Sequence, residues 1–222
     1  MRLAWLWLAL ALGGAEGQSL SLNPSPEEAV RFLLEATRRC PYLEMGMAGY
    51  SVEGRPIPFV LLRHPQTPQK RRLLVVARLH GDEPAGTTAL LHLVAALVRN
   101  PSGYPLSLLR DTSWMFLPLL NPDGAVSNHR RNRAGVDLAE DGLAQTQPES
   151  RALFAMLTSW RPHLLLDLHE HPSQGPLIRY GPAPSEEMAS RLQALRTFLT
   201  QRLRQYRYPA EERNLPSFWD SS

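Results

Sequence analysis

The sequence predicts an α/β fold, a sheet layered between helices. Short apolar runs that read as strands alternate with longer stretches that read as helices, the pattern of a layered α/β domain. Three of those runs empty directly into polar, ligand-type residues, and ligands in open α/β sheets bind beyond the carboxyl ends of the strands. The 222 residues suffice for one sizeable core, or at most two small ones.

The elements follow in chain order. Residues 24–39, PSPEEAVRFLLEATRR, read as a helix: Ser25 can cap it, Pro26 suits its first turn, acids open it and arginines close it. GYSVEGRPIPFVLLRH reads as two short strands turning at Glu53-Gly54. RRLLVVARL is a strand, and PAGTTALLHLVAALVRNP is a helix stopped at Asn100-Pro101. WMFLPLL is a strand, ESRALFAMLTSW a helix and HLLLDL a strand. SEEMASRLQALRTFLTQRLRQY is a long amphipathic helix with Ser185 as its cap. No internal repeat and no long linker divides the chain.

Hydrophobic residues make up 43% of the chain, which excludes a disordered protein. The formal charge is +3, but the arginines are scattered and Lys70 is the only lysine. A nucleic-acid partner would need a clustered basic patch, so none is expected. Cys40 stands alone, which excludes an intramolecular disulfide and a cysteine-based zinc site. The opening MRLAWLWLALALGGAEGQ has a basic start, an apolar run from Leu3 to Leu12 and small residues after it. The run is too short to span a bilayer and suits a signal peptide over residues 1–17, cleaved after Ala15 or Gly17. An uncleaved interfacial anchor is the alternative. The expectation is an exported protein, periplasmic or secreted, without a stable membrane anchor.

The three polar strand ends are HGDEPAG after LLVVARL, NPDG after WMFLPLL and HEH after HLLLDL. His80 and Glu83 stand three apart where a strand gives way to a helix, a spacing that lets an imidazole and a carboxylate converge on one ion. His169, from another strand end, would complete a set of two histidines and one glutamate. Such a set leaves a fourth zinc position open for water. Taken alone, H-x-x-E and DLHEH are weak signals, and a solvated strand-end loop explains either one better.

Four segments, taken together and in order, resemble the zinc carboxypeptidases of the M14 type: GYSVEGRPI, HGDE, NPDG…HRRNRAGVDL and DLHEH, spanning residues 49–171. The resemblance implies a mixed, mostly parallel sheet flanked by helices. It implies zinc held by His80, Glu83 and His169, and Arg130 polarising the scissile carbonyl as a fixed cation beside the developing oxyanion. Asp137 would orient the first zinc histidine. His171 is expected at the rim, and His64, His92, His129 and His163 are expected to be structural or exposed. The implied activity is amide hydrolysis in a peptide. An acylase of the succinylglutamate desuccinylase or aspartoacylase type, acting on an acylated amino acid, is an alternative. A non-catalytic zinc-containing relic is another. Oligomeric state is not legible.

The chain departs from the family pattern twice. After GVDL the family usually carries Asn-Arg, which grip a peptide's terminal carboxylate; here Ala139-Glu140 stand there. A local pairing of Glu140 with Arg131 or Arg133 would explain the glutamate. The family's general base is a glutamate on a late strand. Past His171 the sequence offers only Glu186, Glu187, Glu211 and Glu212, none on an apolar strand. The expectation is a domain over residues 18–222 that lacks its C-terminal part, and a general base that stays unassigned.

Overall fold

The computed structural model describes residues 20–64, 71–100, 109–170 and 185–205, except for the side chain of Arg204. The expected signal peptide, His171, Glu211 and Glu212 lie outside the described residues. Two compact units divide the chain, Met1–Glu170 and His171–Ser222.

The first unit holds α1 (Pro26–Arg39), β1 (Leu43–Tyr50), β2 (Pro56–Leu62), β3 (Arg71–Ala77), α2 (Pro84–Arg99), β4 (Thr112–Leu117), α3 (Pro122–Ser127), α4 (Pro148–Trp160) and β5 (Leu164–Leu168). Helix α1 starts as its sequence predicts. The Ser25 side chain accepts the Glu28 amide and the Glu28 side chain accepts the Ser25 amide, a reciprocal cap that holds two otherwise orphaned donors. The second unit holds α5 (Glu186–Gln205), whose Ser185 side chain accepts the Met188 amide. No helix among the described residues is long and apolar enough to cross a membrane.

The sheet is mixed, with order β1-β2-β4-β3-β5. Strands β1 and β2 form an antiparallel hairpin, and β2 continues antiparallel onto β4. Strand β3 pairs parallel with both β4 and β5. That parallel trio puts the three polar strand ends of the sequence along one edge.

Alternation along the strands sorts the core onto two faces. Val75 and Ala77 of β3, Phe116 of β4 and Val60 and Leu62 of β2 pack with Leu33 of α1 and Leu91 and Val94 of α2. Leu74 and Val76 of β3, Met115 and Leu117 of β4 and Ile57 of β2 join Ala152, Leu153 and Leu157 of α4 on the opposite face. Helices therefore cover both faces. Strands β3 and β5 are neighbours reached by connections over different faces, the switch point where a crevice opens.

Candidate metal centre

The ends of β3 and β4 are fixed by close packing between their loops. The chain leaves β3 at Ala77 and reaches His80 three residues later. Gly81 then lies against Gly124 of α3; a Cβ on Gly81 would fall 2.0 Å from the Gly124 carbonyl carbon. A Cβ on Gly124 would meet the carbonyl oxygens of His129 and Arg131 at 2.8 Å. Only glycine allows two backbones this close. The Asn121 side chain accepts the Gly124 amide at 2.9 Å, capping α3, and donates to the carbonyls of Leu79 and Arg130 at 3.1 and 3.3 Å. Asn121 thereby ties the loops that carry His80 and Arg130. Asp123 of the same turn is buried and serves the hairpin: Ser51 Oγ, the Glu53 amide and Arg55 all donate to it.

Three side chains expected as ligands come together. His80 Nδ1 lies 2.7 Å from Glu83 Oε1, His169 Nδ1 lies 2.9 Å from Glu83 Oε2, and the two Nδ1 atoms are 3.1 Å apart. His80, Glu83 and His169 form the one described group of histidine, cysteine and acidic side chains whose ligand atoms converge within 4.8 Å. A zinc ion about 2.1 Å from each of three ligands would space them about 3.4 Å apart in a tetrahedral site. This set is gathered slightly tighter than that and fits such an ion. Glu83 begins α2 but makes no side-chain cap, because its carboxylate turns to the histidines instead. Glu170 takes over the capping: its carboxylate accepts the Ala85 amide, and its own amide donates to Glu83 Oε2 at 3.1 Å.

The outward ring nitrogens are held as well. His80 Nε2 lies 3.2 Å from Asp137 Oδ1, and His169 Nε2 lies 2.9 Å from Asp167 Oδ2. A carboxylate behind each imidazole fixes its tautomer and leaves Nδ1 facing inward, where it could take a metal ion. Arg130 Nε donates to Asp137 Oδ2 at 2.8 Å, and its Nη1 reaches within 3.2 Å of His80 Nδ1. The guanidinium is half exposed, at the mouth of the group. The Ala139 amide donates to Asp137 Oδ1 at 3.0 Å. Buried Asn132 shapes this loop, accepting the amides of Ala134 and Val136 and donating to buried Glu149.

Electrostatics suit cation binding. Burial disfavours ionised Glu83, but His169, His80 and the Glu170 amide more than offset it and bring its carboxyl down to about 2. Hydrogen bonds to Asp167 and Glu83 raise His169 to about 10 against the opposing effect of burial. Asp137 is buried, which works against its charge, yet Arg130 and the Ala139 amide hold it below the usual range.

Sequence reasoning missed several supporting residues. The two-residue spacing of Asp167 and His169 puts both on one side of an extended chain and could have marked Asp167. Glu170 gave no local signal, since its partner lies 85 residues away, and Asn121 shows locally only its cap on Gly124, while the Leu79 carbonyl that it ties lies 42 residues away. The pairing considered for Glu140 is not made: Arg133 reaches Glu53 and Arg131 donates to the Gly135 carbonyl. Among the other histidines, His163 accepts the Arg72 amide, His129 accepts the Arg131 amide, and His64 stacks on Tyr42. Glu186 and Glu187 open α5 in the second unit.

The family model for zinc carboxypeptidases matches residues 30–214. Carboxypeptidase 2 of Trichophyton rubrum is 28% identical over 166 residues, 71% of this chain and 30% of its own length. The chain thus spans about a third of the curated relatives that it resembles. A metallo-carboxypeptidase from Burkholderia cenocepacia superposes with a TM-score of 0.74 at 22% identity, over 85% of this chain and 53% of that one. Carboxypeptidase A from Helicoverpa armigera superposes with a TM-score of 0.73 at 24% identity, over 92% of this chain and 60% of that one.

Proposed function

The chain belongs to the zinc carboxypeptidase family, and from that premise we propose that His80, Glu83 and His169 hold a catalytic zinc ion that serves hydrolysis of a peptide amide bond. The observation that carries this reading is the convergence of two Nδ1 atoms and one carboxylate, each imidazole braced from behind by its own aspartate. When bound, zinc supplies a Lewis acid that polarises a carbonyl and acidifies a water. Asp137 and Asp167 keep the rings oriented. Arg130, anchored through Nε on Asp137 with Nη1 beside the ligands, offers a fixed cation to the oxygen on which charge develops. The proton acceptor for the attacking water is not assigned to any residue. Export to the periplasm or to the medium is the location we infer from residues 1–17.

Substrate choice follows from Ala139-Glu140. Ala139 has no donor, and Glu140 is exposed and paired with neither neighbouring arginine, so this pair cannot grip a terminal carboxylate. The preferred substrate is an amide whose end beside Glu140 is not a free carboxylate. The test is hydrolysis of matched peptides with free and amidated C-termini, and of N-acyl amino acids, with zinc and with a chelator. Zinc-dependent cleavage that favours the amidated peptide is expected, and Glu140→Arg should shift the preference toward the free carboxylate. Cleavage of N-acyl amino acids alone would move the protein to the acylase reading. Zinc binding without any cleavage would leave a binding role.

A further inference from the structure

A guanidinium lies buried beneath the strand end that delivers His80. Arg78 is fully buried, and its backbone takes a φ of +58°, a left-handed conformation uncommon for a residue other than glycine, asparagine or aspartate. No carboxylate forms an ion pair with it among the described residues. Its hydrogen bonds go to oxygens of uncharged groups: Nε donates to the Gly81 carbonyl at 2.9 Å, Nη1 to the Pro24 carbonyl at 3.2 Å and Nη2 to Asn23 Oδ1 at 2.7 Å. Burial pulls its pKa down, so the charge is held there at a cost.

Those contacts link two distant segments. Asn23 and Pro24 lie just before α1, and Thr88 Oγ1 of α2 donates to the Leu22 carbonyl at 2.9 Å. Residues 22–24 thus form a strap across the base of the HGDE turn. Gly81, adjacent to His80, is held on both sides. Arg78 takes its carbonyl, and its amide donates to the Arg130 carbonyl at 3.3 Å. The Cβ clearances around Gly81 leave little room for this turn to relax toward Gly124.

We infer that Arg78 and the Asn23–Pro24 strap form a positioning device for the metal centre, setting the HGDE turn so that His80 presents Nδ1 to the ion. The inference rests on the zinc reading given above. Asn23 is exposed, so replacing it removes one acceptor without opening the core. In this way the device can be weakened without dismantling the fold. Arg78 itself touches neither substrate nor ion.

The test compares zinc affinity with metal-free stability in the full chain. Zinc affinity is read by competition with a chromophoric chelator, ligand geometry by the visible spectrum of the cobalt-loaded chain, and stability by thermal unfolding without metal. Asn23→Ala should weaken zinc binding several-fold and alter the cobalt bands with little change in metal-free unfolding. Asn23→Asp, which keeps an acceptor opposite the guanidinium, should restore both. Arg78→Gln should weaken zinc by about 10–100-fold, as loss of a group that orients a ligand does. If Arg78→Gln fails to fold, the Asn23 pair alone decides. Unchanged zinc affinity and cobalt bands in Asn23→Ala would overturn the inference, as would a loss that Asn23→Asp fails to rescue. A wild-type chain that binds no zinc would instead overturn the zinc reading.

Discussion

Strands β3 and β5 run side by side, pair in register and each deliver one histidine, yet they are supported in opposite ways. Leu74 of β3 and Leu165 of β5 are register partners; the first is 0% exposed and the second 42%. His80 emerges into a turn whose backbone is tightly packed, with Gly81 against Gly124 and the Asn121 side-chain amide on the Leu79 carbonyl. His169 emerges from a strand paired with β3 alone among the described residues, and its side chain is 35% exposed. Side chains hold it instead, chiefly Asp167 and Glu83. One proposed ligand thus has a packed turn beneath it as well as carboxylates beside it, and the other depends chiefly on carboxylates. The first should respond to loss of volume or shape, the second to pH and salt.

The largest effect should be common to both. His80→Ala or His169→Ala is expected to abolish binding of about one zinc per chain, since three ligands are the minimum of a catalytic site. Metal analysis of folded protein checks it, and full retention in either variant would remove that residue from the ligand set.

The strands part company in their apolar residues. Leu74→Ala should cost about 2–5 kcal/mol of stability, because it empties a buried site between β3 and α4. Leu165→Ala should cost under about 1 kcal/mol, as exposed positions usually do. Denaturant titration of both variants measures the difference, and equal costs would erase the contrast between the strands.

A similar asymmetry should hold behind the rings. Asp137 is buried and engages His80, Arg130 and the Ala139 amide, so Asp137→Ala should weaken zinc about 10–100-fold. Asp167 is more than a third exposed, and Asp167→Ala should weaken it less, with the deficit shrinking further in high salt. A larger, salt-independent loss at Asp167 would reverse the contrast between the two ligands.

The smallest effect is on the pH dependence of the metal-free chain. His169 has its folded value raised from 6.5 to about 10, so its contribution is complete below 6.5 and is lost as pH rises through about 10. Glu83 has its value lowered from 4.5 to about 2, so its contribution is present above 4.5 and is lost as pH falls through about 2. Metal-free stability carried by this pair should therefore be greatest between about 4.5 and 6.5. Thermal unfolding against pH should show an alkaline decline that His169→Gln flattens. Zinc binding near pH 8 should release about one proton, because the ion must displace the one that His169 holds. A flat alkaline limb in the wild type would mean that Asp167 and Glu83 do not hold His169 charged.

The contrast also explains what the sequence disclosed. Strand ends were legible because an apolar run that stops at His80 or His169 leaves the polar residues nowhere to go but the sheet edge. Helix α1 was legible from Ser25, Pro26 and its charges, all local signals. The first residues of β1, Leu43 to Ala48, were not, since Glu44, Gly46 and Ala48 are poor strand formers and the partners in β2 decide it. Helix α3 was not foreseen because six residues starting at Pro122 are too few to show a helical period; the Asn121 cap and the backbone approach of Gly81 accompany it. Arg78 was one arginine among many until its contacts with Asn23 and Pro24 were visible.

The most direct test of the account is the position of the metal itself. Crystals of the zinc-loaded chain, measured at the zinc absorption edge, should give one anomalous peak about 2.0–2.2 Å from His80 Nδ1, His169 Nδ1 and a Glu83 oxygen. Asp137 and Asp167 should still stand behind the two rings. A peak elsewhere, or a bound ion with either imidazole turned to present Nε2, would contradict the claim that two differently supported strand ends build one zinc site.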